Sequence, residues 1–344
     1  MPASISDFAI LSPRDIGKME FPFQVGFEGK YEGLPNPKIS FVVPSYNQGQ
    51  YLEECLRSIL MQGYNNVEIL VGDGGSTDNS IAVLEHYTPL LAWWESQKDL
   101  GTWDANNKCL AKATGDYWWV LNSDDRLEEG AIHSFLKALA ANPNTKWFSG
   151  KVNAMNAYGE TKAVFSPQRQ APRAGLTFLP ECWIYHPATI LHQDLARFGF
   201  TNTDLLDWDL WIRLEKAGHM PVLMDATLAG LRFHEGCKSN DSLGIYKRQI
   251  ALLQHNQTQY LEGASEADRE DYAALLEEYA TRLRQVEIKT LAYEGHKAAA
   301  ISKLVATGLE SPAYTAKRWY WGLLRRIFTS FTLDEVSPLA FLER

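Results

Sequence analysis

The chain is 344 residues long, 45% hydrophobic and 22% charged, which excludes a disordered or collagen-like polymer and leaves room for one large domain with a smaller one. Its formal net charge of -9 excludes a surface built for sequence-independent capture of phosphates, so no nucleic-acid partner is expected. The four cysteines, Cys55, Cys109, Cys182 and Cys237, lie far apart with no C-x-x-C pair, which argues against a zinc site or a disulfide framework.

Residues 1–38 are rich in Pro, Gly and Phe without periodicity and end in Leu34-Pro35-Asn36-Pro37, an irregular N-terminal arm. No apolar run approaches the ~18–20 residues that a bilayer span needs, and the start of the chain lacks a basic stretch followed by an apolar one. The chain therefore reads as soluble and cytoplasmic. From Ile39 short apolar runs alternate with helical periodicity. Ile39–Val43, Val67–Val71, Leu90–Trp94 and Tyr117–Leu121 are the expected strands. The intervening helices run from Tyr51 to about Gly63, around Ile81–Leu84, and over Trp103–Ala113. Continuous apolar strands alternating with helices predict a mostly parallel sheet covered on both faces. Beyond Lys146 the alternation weakens. A hairpin is expected over Phe148–Met155 and Thr161–Phe165, a helix over Asp207–Ala217, and strands over Pro221–Met224 and Leu228–Phe233. From about Asp241 the chain turns Ala/Glu/Leu-rich and helical. The expected organisation is an arm (1–38), an α/β domain (39–240) and a helical region (241–344).

Parallel α/β sheets bind ligands beyond the carboxyl ends of their strands. Three polar tips fall there: Pro44-Ser45-Tyr46-Asn47, Asp73 to Ser80, and Asn122-Ser123-Asp124-Asp125. The Gly-rich turn after Asp73 lets backbone N–H groups approach a ligand, and the following helix start favours an anion. Ser76 and Asp78 read equally well as helix caps. The adjacent carboxylates Asp124 and Asp125 repel unless a cation joins them, and oxygen ligands suit Mg2+ or Mn2+ better than zinc. Alternatively Asp125 caps a helix starting near Glu128. His234 is a further metal-ligand candidate, although a lone histidine is more often structural. In Leu206-Asp207-Trp208-Asp209-Leu210-Trp211, ~100° per residue turns Asp207 and Asp209 to nearly opposite sides, so only one can face a cleft.

In order along residues 38–241 these segments resemble the family-2 inverting glycosyltransferases of the GT-A fold. The resemblance rests on Val42-Val43-Pro44-Ser45-Tyr46-Asn47, Asp73-Gly74-Gly75-Ser76-Thr77-Asp78, Glu95 to Asn107, Asn122-Ser123-Asp124-Asp125 and Asp207 to Arg213. It implies that Asp73 hydrogen-bonds the donor nucleobase and that Pro44, Tyr46, Asn47, Asp99, Asn122 and Ser123 line the donor nucleotide. It further implies that Asp124 binds Mn2+ or Mg2+ with His234 and that Asp207 is the catalytic base. The implied reaction moves a sugar from a nucleotide-diphosphate sugar to a saccharide or lipid-linked saccharide acceptor, in cell-surface polysaccharide or glycolipid synthesis. Three departures stand out: Asn122 replaces the first acid of the usual Asp-X-Asp, Leu206 replaces an acid before the base, and Gly74 replaces a second Asp. Asn122 and Leu206 also give an alternative its support, a nucleotide-sugar-binding pseudoenzyme or scaffold that recruits a partner through the helical tail.

His186, in Ile184-Tyr185-His186-Pro187, either lines the acceptor side or packs in the core. Trp208 is a stacking candidate there, as is Trp183, while Trp211 at helical spacing reads as core. In the tail, Lys317, Arg318, Arg325 and Arg326 fall on one side of a helix, with Trp319, Tyr320, Leu323, Leu324, Ile327 and Phe331 roughly opposite. Residues 313–331 thus have two readings: peripheral contact with an anionic membrane at its inner face, or packing of the apolar face on protein. A dehydrogenase is disfavoured because no G-x-G-x-x-G follows the first strand.

Overall fold

The computed structural model describes residues 30–235, 237, 241–310 and 318–327; the arm up to residue 29, Lys317 and Phe331 lie outside the described residues. The chain forms two compact units. One ends at Ala171 and resumes over Leu176–Arg232, and the other comprises Pro172–Gly175 and the chain from Phe233 onward.

The first unit is built on a nine-stranded sheet. Its strands are β1 (Ile39–Ser45), β2 (Val67–Asp73), β3 (Trp93–Ser96), β4 (Tyr117–Val120), β5 (Arg126–Leu127), β6 (Trp147–Met155), β7 (Thr161–Phe165), β8 (Thr189–His192) and β9 (Val222–Arg232). Their order is β3-β2-β1-β4-β8-β6-β9-β5, with β7 paired to β6. The helices are α1 (Gly49–Leu60), α2 (Ser80–Tyr87), α3 (Thr102–Leu110), α4 (Ala131–Ala141) and α5 (Leu206–Lys216).

Strand β1 is buried along its whole length because parallel neighbours flank it and helices cover both faces. Phe41 stacks on Trp119 across β1 and β4, with ring centroids 5.5 Å apart. Pro44 is tolerated in this central strand because the β1–β4 ladder stops at Val42, so no donor is required beyond it. The register aligns Ser45 with Asp73 and Asp73 with Ser96, so the carboxyl ends of β1, β2 and β3 lie side by side.

The parallel half follows the periodicity, with the third strand shifted to Trp93–Ser96 and the third helix ending at Leu110. The other half departs from it. Strand β8, too short to signal itself, runs antiparallel between β4 and β6. The two late strands are one continuous β9, because irregular pairing with β6 carries the chain through the polar residues between them.

The second unit is helical: α6 (Ser242–Tyr260), α7 (Glu266–Tyr293), α8 (Lys297–Glu310) and α9 (Arg318–Ile327). Ser265 and Asp268 form a reciprocal capping box that starts α7. Tyr272 donates its hydroxyl to the Leu253 carbonyl at 2.7 Å, fixing α7 to α6. Tyr320, Leu323 and Ile327 of α9 are buried with Ile288 and Ala292 of α7 and with Ala300 and Leu304 of α8. The apolar face of α9 is thereby occupied within its own unit.

Candidate active site

The loops after β1 and β2 are knotted together by side chains. Asp73 is buried and accepts from the backbone N–H groups of Gly75 (3.1 Å) and Ser76 (2.8 Å), from the Ser76 hydroxyl (2.5 Å) and from the Ser96 hydroxyl (2.7 Å). Its carboxylate holds the Gly-rich turn closed and ties it to β3. Asn47 has a left-handed backbone (φ 52°), accepts from the Thr77 N–H at 2.8 Å and donates its own N–H to Ser76 Oγ at 2.7 Å. Asp78 accepts from the N–H groups of Ser80 and Gly49, so it caps the starts of both α2 and α1. Tyr46 is exposed at the tip. A Cβ at Gly74 would lie 2.9 Å from Asp99 Oδ2, so the Asp99 carboxylate fills the space beside the position that lacks the second acid. Asp99 also accepts from the Gly101 N–H at 2.9 Å.

The loop after β4 separates its two acids. Asp125 is buried and accepts from the Arg232 backbone N–H (2.9 Å) and the Asn122 amide (3.3 Å). Burial raises the pKa of its carboxyl well above the usual carboxylate range, and the neighbouring Asp124 charge adds to that. The expectation that Asp125 caps the next helix is corrected, since α4 begins at Ala131 behind Gly130 and the Asp125 carboxylate is held by Arg232 and Asn122 instead. Ser123 is buried and donates its N–H to the Pro44 carbonyl at 3.3 Å, joining this loop to β1. Asp124 is half-buried. Among the described residues no group of three or more His, Cys, Asp or Glu side chains gathers to cage a metal. The donor set fits an ion shared with a substrate, because Mg2+ is often bound through one or two carboxylates plus substrate phosphates. His234 lies in the second unit, where its Nδ1 is 2.8 Å from the Glu235 carbonyl oxygen.

At the start of α5 the two acids take different roles. Asp209 is buried, paired with Arg213 at 2.7 Å and accepting from the Thr201 hydroxyl at 2.6 Å. Arg213 also donates to the Phe198 and Gly199 carbonyls, which fixes the chain leading into the helix. Asp207 is half-buried, close enough to His186 for its charge to oppose the burial that lowers the pKa of that imidazole. His186 packs against Phe200 and Trp211, and its Nε2 is buried without a hydrogen-bond partner among the described residues. The Trp119 indole donates to the Pro187 carbonyl at 2.8 Å, which anchors the His186 turn to β4.

Trp208 is corrected from an acceptor-side residue to a core residue: it is 1% exposed and its indole donates to the Phe178 carbonyl. Trp183 is likewise buried, stacked on Phe178 with centroids 4.4 Å apart. Sequence reasoning missed Glu54 and Arg232, which flank the Asn122–Asp125 loop. Isolated charges inside periodic segments carry no local signal of the partners they meet after folding.

Residues 40–168 match the model of Glycosyl transferase family 2. Over that stretch the chain is similar to the family-2 glycosyltransferases. An uncharacterized glycosyltransferase of Mycobacterium tuberculosis is 38% identical over 91 residues, 26% of this chain and 35% of that protein. Glycosyltransferase GlyG of Streptococcus pneumoniae is 37% identical over 99 residues, 28% of this chain and 33% of that one. The chain thus spans about a third of the length of these curated relatives. Among solved structures, S. aureus TarS 1-349 in complex with UDP-GlcNAc superposes with a TM-score of 0.52 at 17% identity, covering 71% of this chain and 72% of that one. The mannosyltransferase PcManGT from Pyrobaculum calidifontis, in complex with GDP-Man and Mn2+, gives a TM-score of 0.50 at 16% identity over 91% and 90% of the two chains. Both likenesses show the fold, a GT-A-type mixed sheet flanked by helices.

Proposed function

We propose that the protein is an inverting glycosyltransferase that moves a sugar from a nucleoside-diphosphate sugar to an acceptor hydroxyl, with Asp207 as the base. The observation that carries the reading is the separation of acids at α5. Arg213 and Thr201 occupy Asp209, while Asp207 is half-buried beside an imidazole kept neutral by burial. Asp207 takes the proton of the acceptor hydroxyl as that oxygen attacks the anomeric carbon, and the nucleoside diphosphate leaves from the opposite face. A single displacement inverts the anomeric centre. Asp124 would hold Mn2+ or Mg2+ when bound, and the ion would neutralise charge building on the leaving diphosphate. The strand-end loops at Pro44, Tyr46, Asn47, Asp99, Asn122 and Ser123 supply the donor-side surface. The donors named for the structural neighbours, UDP-GlcNAc and GDP-Man, support a sugar nucleotide as the donor class. The acceptor is a saccharide or lipid-linked saccharide of the cell surface.

Asp73 enters this reading with a restriction. Its four internal hydrogen bonds already engage both carboxylate oxygens, so its first role is to shape the turn. A nucleobase contact there requires one of those donors to yield.

Calorimetric titration of UDP, GDP, dTDP and CMP with and without Mn2+ tests the donor site directly. One nucleotide bound only with metal is the expected result, and binding of none would sink the reading. Asp207→Asn should then bind that nucleotide as the wild type does while losing ~100-fold or more of transfer. Full transfer by the variant would remove Asp207 from the base role.

A further inference from the structure

Arg232 closes β9 with a side chain that is 0% exposed. Its Nε donates to the Asp124 carbonyl at 2.7 Å, and its two terminal nitrogens donate to the Ala157 carbonyl (3.1 Å) and to Glu54 Oε2 (2.7 Å). Its backbone N–H reaches the Asp125 carboxylate at 2.9 Å. The guanidinium lies 4.7 Å from the centre of the Tyr51 ring. Glu54, one turn along α1 from Tyr51, uses its other oxygen for Arg126 at 3.0 Å. The hairpin between β6 and β7 covers the cluster, since a Cβ at Gly159 would sit 3.1 Å from Arg126 and 3.4 Å from Arg232.

A buried ion pair is weak evidence for stability, because well-packed apolar side chains of the same volume often serve the fold as well. The geometry of this one is informative. Each hydrogen-bonding arm of a single arginine ends on a different segment, α1, the hairpin or the loop that presents Asp124, and its own amide fixes the acid next to Asp124. A guanidinium fork can hold several acceptors at once, which the single ammonium of lysine cannot do in the same geometry.

We propose that the Glu54–Arg232 pair is a positioning device for the metal-binding loop. Arg232 holds the Asp124 carbonyl through its side chain and the Asp125 carboxylate through its backbone, which fixes where the Asp124 carboxylate stands. Glu54 supplies the countercharge and ties the arrangement to α1. The inference rests on the reading of Asp124 as the acid that shares a divalent ion with the donor diphosphate.

The test compares wild type, Arg232→Lys and Glu54→Gln by calorimetric titration of UDP, GDP, dTDP and CMP with and without Mn2+, alongside thermal unfolding. Outer-shell partners of metal ligands typically matter about 10–100-fold in metal affinity. Arg232→Lys should therefore weaken the Mn2+-dependent component of nucleotide binding by about tenfold or more, and leave metal-free binding within a few-fold. Amide exchange at Asn122–Leu127 should accelerate in the same variant. Should Arg232→Lys fail to fold, Glu54→Gln keeps an acceptor at the same place and should show the same selective loss, smaller in size. Folded variants with wild-type Mn2+ dependence would overturn the positioning role alone. A wild-type chain that binds no nucleotide with or without metal would overturn the reading of the site, and this inference with it.

Discussion

Asp124 and Asp125 are adjacent in sequence yet differ in burial. Asp125 is enclosed, held by an amide and a backbone N–H, and displaced toward its neutral form. Asp124 is half-buried, the more accessible acid of the pair, and in the proposed reading it is the one that meets the cation. Asp124→Ala should abolish the Mn2+-dependent part of nucleoside-diphosphate binding while the unfolding temperature stays near that of wild type. Unchanged metal dependence in calorimetry would reject the assignment. His186 supplies a second prediction at this scale. Its folded pKa lies below the free value of 6.5, so below that pH the unfolded chain takes up a proton that the folded chain refuses. The stability tied to neutral His186 is therefore complete above pH 6.5 and drains as pH falls toward the folded pKa. Between pH 7 and pH 5.5, wild type should lose more stability than His186→Gln in denaturant titrations. Parallel losses would show that His186 does not titrate differently on folding.

Helix α5 shows how an element sorts chemically similar residues. Its first turn carries Asp207 and Asp209, and the helical twist sends them to different neighbours. Asp209 meets Arg213 one turn later, and together they hold the carbonyls of Phe198 and Gly199. Asn107 of α3 holds the N–H and carbonyl of Phe200 at 2.9 and 2.7 Å, so the segment entering α5 is fixed from two sides. Breaking a buried pair by removing one partner typically costs ~3–5 kcal/mol, because the remaining charge is stranded. Asp209→Ala should lose about that much in equilibrium unfolding, whereas Asp207→Asn should lose little. Equal losses would remove the distinction between a structural and a functional acid. In α9 the same sorting acts on apolar residues, for Tyr320, Leu323 and Ile327 turn to α7 and α8 while Trp321, Arg325 and Arg326 are exposed.

At the scale of the molecule, an α/β unit carries every candidate catalytic residue except His234, and a helical unit follows it. No helix among the described residues is long and apolar enough to cross a membrane. Peripheral attachment through α9 would need an apolar face, and that face is spent on the second unit's own core. The full chain should therefore stay in the supernatant when sedimented with vesicles rich in anionic lipid. Co-sedimentation that grows with anionic content would show that the tail offers a membrane surface after all.

The sequence by itself determined the parallel half of the sheet. Strands buried on both faces must be continuously apolar, and the turns at their ends must carry the Gly, Asp and Asn that tight backbone geometry requires. That pattern also located the polar tips at Pro44–Asn47, Asp73–Asp78 and Asn122–Asp125, and with them the resemblance to family-2 glycosyltransferases. Tertiary structure decided everything that depends on partners distant in the chain. It inserted β8 between β4 and β6, merged two expected strands into β9, and turned Trp183 and Trp208 into core. It also assigned Asp209 to Arg213, and brought Glu54 and Arg232, which are 178 residues apart, to within 2.7 Å. Periodicity reports which face of an element is apolar, because that is a local property of the chain. The occupant of the opposite side depends on long-range pairing, which no window of sequence contains.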